Sequence, residues 1–404
     1  MDKRRSPPRL GRLLMWTAGL VAVTLIVLAG TGSLSQAARQ QPEDILGGWG
    51  NLTTTNGNNA VALAANSQPA PAIYASTYQD GVFASLNGGA TWSNPLAEST
   101  LALATGAITP TVAYAGTFSG SFWRTANGTL WTEHSSGLGA NIASAILATS
   151  PITLYLGTDG AVYVSDDGGD SWFPTGSGIP GDALVQALEQ DNGVLVAGID
   201  QGGAFRSLDN GDSWIDATTG LGPGPVNDLL KSGRVLHTAT GSGVYASIDQ
   251  ASTWVSTTSG LTNTDVRALA GGRRLPRVLV AGTTSGVFVS GNHGLNWQPA
   301  VAALPSGSDS VNALAITARP AEAVLAATEG GVWKLSSLVE LGCAAVPDAA
   351  FAAPVTAVGA NDIGSVAGAW PGPYSAQKDL NEDGRNNVAD IMLTASVFGA
   401  VCTP

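Results

Sequence analysis

Twelve residues near the end of the chain carry its sharpest chemical pattern: Asp379-Leu380-Asn381-Glu382-Asp383-Gly384-Arg385-Asn386-Asn387-Val388-Ala389-Asp390. Oxygen-bearing side chains stand at loop places one, three, five, nine and twelve, with glycine at six. A hard divalent cation needs several oxygens from a short arc, and alternate residues can turn theirs inward around the sharp bend that glycine permits. Asp379, Asn381, Asp383, Asn387 and Asp390 are therefore expected to bind calcium, the backbone carbonyl of Arg385 joining them, with a helix following from Ala389 to Phe398.

No comparable pattern for catalysis emerges, and no catalytic residue is assigned. His134, His237 and His293 fall at unrelated places and form no triad or metal set. Glycoside hydrolysis needs two carboxylates at a set separation across a cleft, and spacing singles out no such pair. Cys343 and Cys402, the two cysteines, bracket most of the tail. In an oxidising compartment they are expected to form a disulfide, and they are too few for a structural zinc site.

The elements that must position any site recur. Ser207-Leu208-Asp209-Asn210-Gly211-Asp212-Ser213-Trp214 returns as Ser85 to Trp92 and Ser165 to Trp172, more loosely at Trp254 and Trp297, and at Trp131 with only Gly128 and the indole kept. An Asp or Asn bonding backbone N–H groups across a tight turn, a glycine at positive φ and a Trp opening the next strand explain the unit as scaffold. The Trp residues at 92, 131, 172, 214, 254 and 297 are 39 to 43 residues apart, a period that means stacked units or a propeller. Seven apolar-aromatic runs, from Val82-Phe83 to Val332-Trp333, precede six such turns. The seventh unit therefore needs a strand from elsewhere, and Trp49 lies in phase to supply it. The expected fold is all-β: a seven-bladed β-propeller over residues 45–338 closed by an N-terminal strand, plus a small α-helical calcium-binding module over 343–402.

Residues 1–37 read as a signal peptide, with Lys3, Arg4, Arg5, Arg9 and Arg12 before an apolar run from Leu13 to Ala29 and small residues at Ser35-Gln36-Ala37. A retained membrane anchor is the alternative. The chain carries a net charge of −12, falling to about −16 without its leader, which repels nucleic acid and anionic membranes and suits an extracellular protein.

The turn units all fall on one propeller face, leaving the loops between second and third strands on the other. There Tyr78 and Phe118 are aromatic and Asp80, Asp159, Asp200 and Glu329 acidic, a combination able to bind a sugar or a peptide, or simply to make turns. Gln186, Asn227, Arg267 and Asn312 recur on the innermost strands and are expected to line the channel.

The repeated turn resembles the Asp-box (BNR-like) repeat of sialidases, sortilin-type receptors, xyloglucanases and photosystem assembly factors, which implies the propeller. A sialidase-like site implies an arginine triad and an Arg-Ile-Pro signature, which this sequence lacks, and xyloglucanase-like enzymes join two propellers where this chain has one. The calcium loop, with Asp at place twelve and one following helix, resembles a dockerin in its EF-hand-like form. A second half is visible in Asn361-Asp362-Ile363-Gly364, although its loop, Phe351 to Val355, lacks carboxylates. Dockerin likeness implies a cohesin-type partner met by loop places ten and eleven, here the apolar Val388 and Ala389. The expected function is a secreted, non-catalytic binding protein recognising a glycan or an extracellular protein; an Asp-box glycoside hydrolase in polysaccharide degradation is the alternative.

Overall fold

The computed structural model describes residues 50–52, 59–66, 71–106, 112–139, 142–272, 278–300, 303–317 and 323–335. The leader, Trp49, both cysteines and the calcium loop with its helix lie outside the described residues. Within them, the strands form seven four-stranded antiparallel sheets, as the repeat requires. Blades 1 to 6 follow the chain, at residues 60–96, 100–133, 143–174, 185–216, 226–256 and 266–299. Blade 7 takes three strands from Val311–Ile316, Val324–Thr328 and Gly331–Leu335, and its fourth, Gly50–Asn51, from the beginning of the chain.

That borrowed strand closes the ring. Gly50 pairs with Lys334 and Asn51 with Trp333, and Leu52 N donates to Val332 O at 2.9 Å. On the inner side, Asn312 of blade 7 donates through Nδ2 to Ala60 O of blade 1 at 2.9 Å and to Asn59 Oδ1 at 2.8 Å. Because Gly50 sits opposite Lys334, the chain enters the propeller beside the point where Leu335 leaves it.

The core lies between blades rather than inside any one of them. Ala60, Leu63, Ile73 and Ala75 of blade 1 pack on Leu325, Ala327 and Val332 of blade 7, and the other junctions are built likewise. A second strand is thus covered on both faces, which is why Ile73–Thr77, Leu154–Thr158 and Val324–Thr328 are buried throughout instead of alternating. Blades also approach closely. A Cβ on Gly198 would fall 2.2 Å from Val226 Cγ1 of the next blade, and one on Gly157 would fall 2.7 Å from Val185 Cγ1.

The repeated turns work as their residue types suggest. In blade 4, Ser207 Oγ accepts the Gly211 N–H at 2.7 Å and donates to Asp209 Oδ1, which also accepts Ser213 N at 2.9 Å. The same bonds recur around Asp167, Asp249 and Asn292. In the looser copies Ala251 and His293 adopt the positive φ that glycine would take at no cost, at 59° and 58°. Trp172, Trp214, Trp254 and Trp297 are buried, and each indole N–H reaches back to the preceding blade, at His134 O, Thr175 Oγ1, Ala217 O and Thr257 O.

Candidate functional site

Backbone bonds sort the loops onto two faces. The loops between second and third strands bind the connections that enter each first strand: Phe118 N donates to Ser99 O, Gly160 N to Ala183 O and Asp200 N to Leu184 O. The box turns instead bind the turns between first and second strands, Gly88 N to Pro71 O and Gly168 N to Ile152 O. The two sets occupy opposite ends of the blades.

On the first face, the backbones of two aromatic residues are bonded to one residue. Tyr78 belongs to blade 1 and Phe118 to blade 2, and both are fastened to the residue between them. Ser99 Oγ donates to Tyr78 O at 2.6 Å while Ser99 O accepts from Phe118 N at 2.9 Å. The two residues are 52% and 57% exposed, and among the described aromatics Phe173 alone is exposed to a like extent. Asp80, two residues from Tyr78, is half-buried; its N–H donates to Thr77 Oγ1 and its carbonyl accepts from Asn94 Nδ2.

The remaining acids are differently employed. Asp159 Oδ1 accepts Ile142 N at 3.0 Å and Asp200 Oδ1 accepts Leu184 N at 2.9 Å. Each carboxylate thus caps the entry to its own blade's first strand through one oxygen. Glu329 is exposed on the corresponding loop of blade 7. The face therefore offers one aromatic pair with Asp80 beside it and Glu329 on the neighbouring blade.

The inner strands hold a second arrangement. In all seven blades the pairing of first and second strands slips by one residue. The residues skipped are Val61, Leu101, Ser144, Gln186, Asn227, Arg267 and Asn312. A bulge frees its extra residue from the ladder and re-aims it. Several of these side chains turn to the next blade: Ser144 Oγ donates to Val185 O at 2.8 Å, Asn227 Nδ2 to Val266 O at 2.7 Å and Arg267 Nη1 to Asn312 Oδ1 at 3.0 Å. Of the four polar positions expected to line the channel, Asn227, Arg267 and Asn312 stitch one blade to the next, whereas the Gln186 Oε1 is buried without a hydrogen-bond partner among the described residues.

Blades 4 to 6 add charge to this ring. Lys231 Nζ pairs with the buried Asp191 of the preceding blade. Glu189 accepts Gln190 N and Lys231 N, and Asp228 accepts Leu229 N and, across the blade junction, Leu269 N at 2.8 Å. Asp228 retains some surface, yet protein surrounds it. Burial, aided by the nearby Glu189, pushes its carboxyl up to about 7, and burial raises Glu189 as well. All four oxygens of this acidic pair already accept backbone N–H groups, the work of a clasp. Of the histidines, His134 pairs with Asp170 at 2.9 Å, and His237 is buried with its pKa lowered to about 3 by burial.

Two scaffold signals escaped the sequence reading. The turn of blade 2 is one residue shorter than the others and keeps their chemistry: Thr125 Oγ1 accepts Gly128 N, and Asn127 Oδ1 accepts Thr129 N and Leu130 N. A Ser/Thr-Gly pair after the outer strand, at 136–137, 177–178, 219–220 and 259–260, receives the N–H of the following blade's Trp. Among the described residues no group of three or more potential metal ligands forms and no helix is long and apolar enough to cross a membrane.

No protein-family profile matches this chain, and no curated protein matches its sequence. Solved structures resemble it in fold. The extracellular domain of a protein assigned as a hybrid two-component system of B. thetaiotaomicron superposes with a TM-score of 0.58 at 13% identity, over 71% of this chain and 39% of that one. The GH74 enzyme of Niastella koreensis gives a TM-score of 0.58 at 15% identity, over 71% and 53%. YCF48 bound to D1 peptide gives a TM-score of 0.56 at 13% identity, over 72% and 96%. The chain thus spans about two-fifths of the first of these and about half of the second. These likenesses agree with the seven-bladed propeller seen in the strand order and show that extracellular domains, a GH74 enzyme and YCF48 share this fold.

Proposed function

We propose that this protein is an extracellular, non-catalytic binding propeller whose loop face takes a glycan or a protein segment on Tyr78 and Phe118. The observation that carries this reading is the tethering of two exposed aromatics from neighbouring blades to the single residue Ser99. Exposed rings on backbones tethered to one residue offer stacking surface to a sugar or a peptide side chain. Asp80 and Glu329 supply polar contacts nearby, whereas Asp159 and Asp200 serve the scaffold. YCF48, of the same fold, is a precedent for a peptide ligand, and the leader and acidic charge agree with secretion.

The tail adds a second role. Asp379, Asn381, Asp383, Arg385, Asn387 and Asp390 would hold calcium, and the module they stabilise would dock to a cohesin-type partner, with Cys343 and Cys402 fastening it. The described chain ends at Leu335, which pairs with Val324 at the box-turn end of blade 7.

A glycoside hydrolase is the second reading, favoured by the raised carboxyl of Asp228 beside Glu189 and by the GH74 propeller of like fold. The four backbone N–H groups on those two carboxylates count against it, since each oxygen needed for proton transfer or attack is already engaged. A glycan-array and peptide-library screen of residues 40–404, with and without calcium, tests the proposal. Capture that persists on chelation and leaves the ligand uncleaved is expected. Loss of capture on chelation would contradict the division of labour, and cleavage would replace it with the hydrolase.

A further inference from the structure

A repeat protein carries its own controls, because the same structural position is sampled once per blade. The residue after the box Trp opens the outermost strand. In blades 1, 2 and 6 it is Ser93, Thr132 and Gln298, all polar, whereas in blades 3, 4 and 5 it is Phe173, Ile215 and Val255. These three are 63%, 45% and 67% exposed. The box turns of blades 4 and 5 add Leu208 and Ile248, 63% and 83% exposed. Nothing in the fold demands an apolar residue after the box Trp, since blades 1, 2 and 6 close without one there, although their box turns also expose Leu86, Leu130 and Leu295. Three consecutive blades therefore present an apolar arc on the outer rim beside the box turns, away from Tyr78 and Phe118. Large apolar side chains exposed at one repeated place on neighbouring blades mark a candidate interaction site.

The arc is set in negative charge. Residues 142–260, which make these blades, hold thirteen acidic and three basic residues. Asp166, Asp209, Asp212, Asp216 and Asp249 are exposed around the apolar positions. Two of them are locked as anions: hydrogen bonds from Ser213 and Ser207 hold Asp209 below the usual carboxylate range, and Asp249, bonded by Thr253 and Ser247, falls to about 2. Cations reduce this excess without cancelling it: Lys231 is paired with Asp191, Arg206 lies opposite Ile215 and donates to Gln250 O, Arg234 stands on the turn between first and second strands, and Arg124 of blade 2 pairs with Asp170.

We infer that the outer rim of blades 3 to 5 is a docking surface for a basic partner segment that alternates apolar side chains with lysine or arginine. Charge chooses this occupant over the two nearest at hand. A second copy would set these carboxylates against their own counterparts, and the chain's tail from residue 336 carries seven acidic and two basic residues. Opposite charge steers the partner to the rim, and apolar contact holds it there.

The probes are a short synthetic peptide alternating lysine with leucine and its glutamate counterpart, titrated against residues 40–404 by fluorescence anisotropy. The lysine peptide is expected to bind, more weakly at high salt, and the glutamate peptide not to bind. The combined variant Phe173→Ser, Ile215→Ser and Val255→Ser keeps every charge and should weaken binding at least about tenfold, roughly 1.4 kcal/mol, while Ser93→Ala and Thr132→Ala leave it unchanged. Because the three side chains are exposed, the variant should melt with the parent, and the melting curve is run to show it. Equal binding by the triple variant would overturn the inference, as would a dimer in the parent that the variant abolishes. Binding that rises when residues 339–404 are removed would assign the rim to the tail instead.

Discussion

The two ends of the blades spend the same kinds of residue in opposite ways. At the box end, each Ser, Asp and Trp is consumed by the backbone: Ser207 holds Gly211, Asp209 holds Ser213, and Trp214 reaches the preceding blade. At the loop end, Asp159 and Asp200 are consumed too, capping Ile142 and Leu184, yet Tyr78 and Phe118 are left over with exposed rings. The lesson is that an acidic residue in a repeat is a poor guide to a site, because turns need carboxylates everywhere. What distinguishes a surface is the side chain that the repeat does not require.

The comparison breaks most severely where both ends depend on the same blade contacts. Gly198→Val places a branched side chain where even a Cβ would meet Val226 Cγ1 at 2.2 Å. Overpacking of this kind costs about 3 kcal/mol at the upper end of its usual range, and an opened ring would lose both faces at once. A fall in urea midpoint with binding still intact per folded molecule would show that the faces are more independent than this junction implies.

Next in size is a pH effect in which inner ring and box turns carry opposite signs. Asp228, with a folded pKa of about 7 against a model-peptide value near 4, holds its proton more tightly folded than unfolded. Its ionisation therefore leaves stability intact below about pH 4 and removes it as pH rises toward 7, by about 2 kcal/mol once partial access to water is allowed for. The box carboxylates Asp167 and Asp209 are lowered by hydrogen bonds from Ser171 and Ser213, so their contribution is present at neutral pH and lost only in acid. His237, its pKa lowered to about 3 by burial, works in the opposite sense over the same range. The readout is therefore the difference between melting curves of parent and Asp228→Asn from pH 4 to 8, in which the parent should lose ground to the variant as pH rises. A difference that does not change with pH would remove Asp228 as a source of the effect.

How much of this was legible in the sequence follows from where each signal acts. The box turn is local, so its residues are neighbours in sequence and the period exposes them, including the need for a strand near Trp49; the pairing of Asn51 with Trp333 fulfils it. Blade 2 hid its turn by substituting Thr125 for Ser and dropping one residue. The Ser/Thr-Gly pairs act on a Trp about forty residues away, so nothing adjacent reveals their purpose. Gln186, Asn227, Arg267 and Asn312 were visible as a polar recurrence, but only the bulge geometry turns the last three toward the next blade. The apolar residues at 173, 215 and 255 were equally visible, and only their exposure gives them meaning.

Smaller still is the loss of one turn bond. Ser207→Ala would leave the buried N–H of Gly211 without its acceptor, costing about 1–2 kcal/mol. The change should be felt at the box end alone. Melting should fall while glycan or peptide capture per folded molecule stays constant, and a parallel loss of capture would show that the faces are coupled through blade 4.

The smallest effect on folding is expected where the effect on function is greatest. Tyr78 and Phe118 are anchored through backbone atoms, the Tyr78 carbonyl and the Phe118 N–H, so truncating their rings leaves both bonds to Ser99 in place. Exposed side chains outside the core contribute within about 0.5 kcal/mol to stability. Tyr78→Ala and Phe118→Ala should therefore melt with the parent protein while each weakens ligand capture by about tenfold. Ser99→Ala separates positioning from contact: it removes the Oγ bond to Tyr78 but not the carbonyl bond to Phe118. A ligand that needs the two rings at a fixed spacing would lose affinity in that variant although both rings remain. Full capture by Ser99→Ala together with loss in the ring truncations would mean that the rings bind independently, and full capture by all three would move the site off this pair of blades.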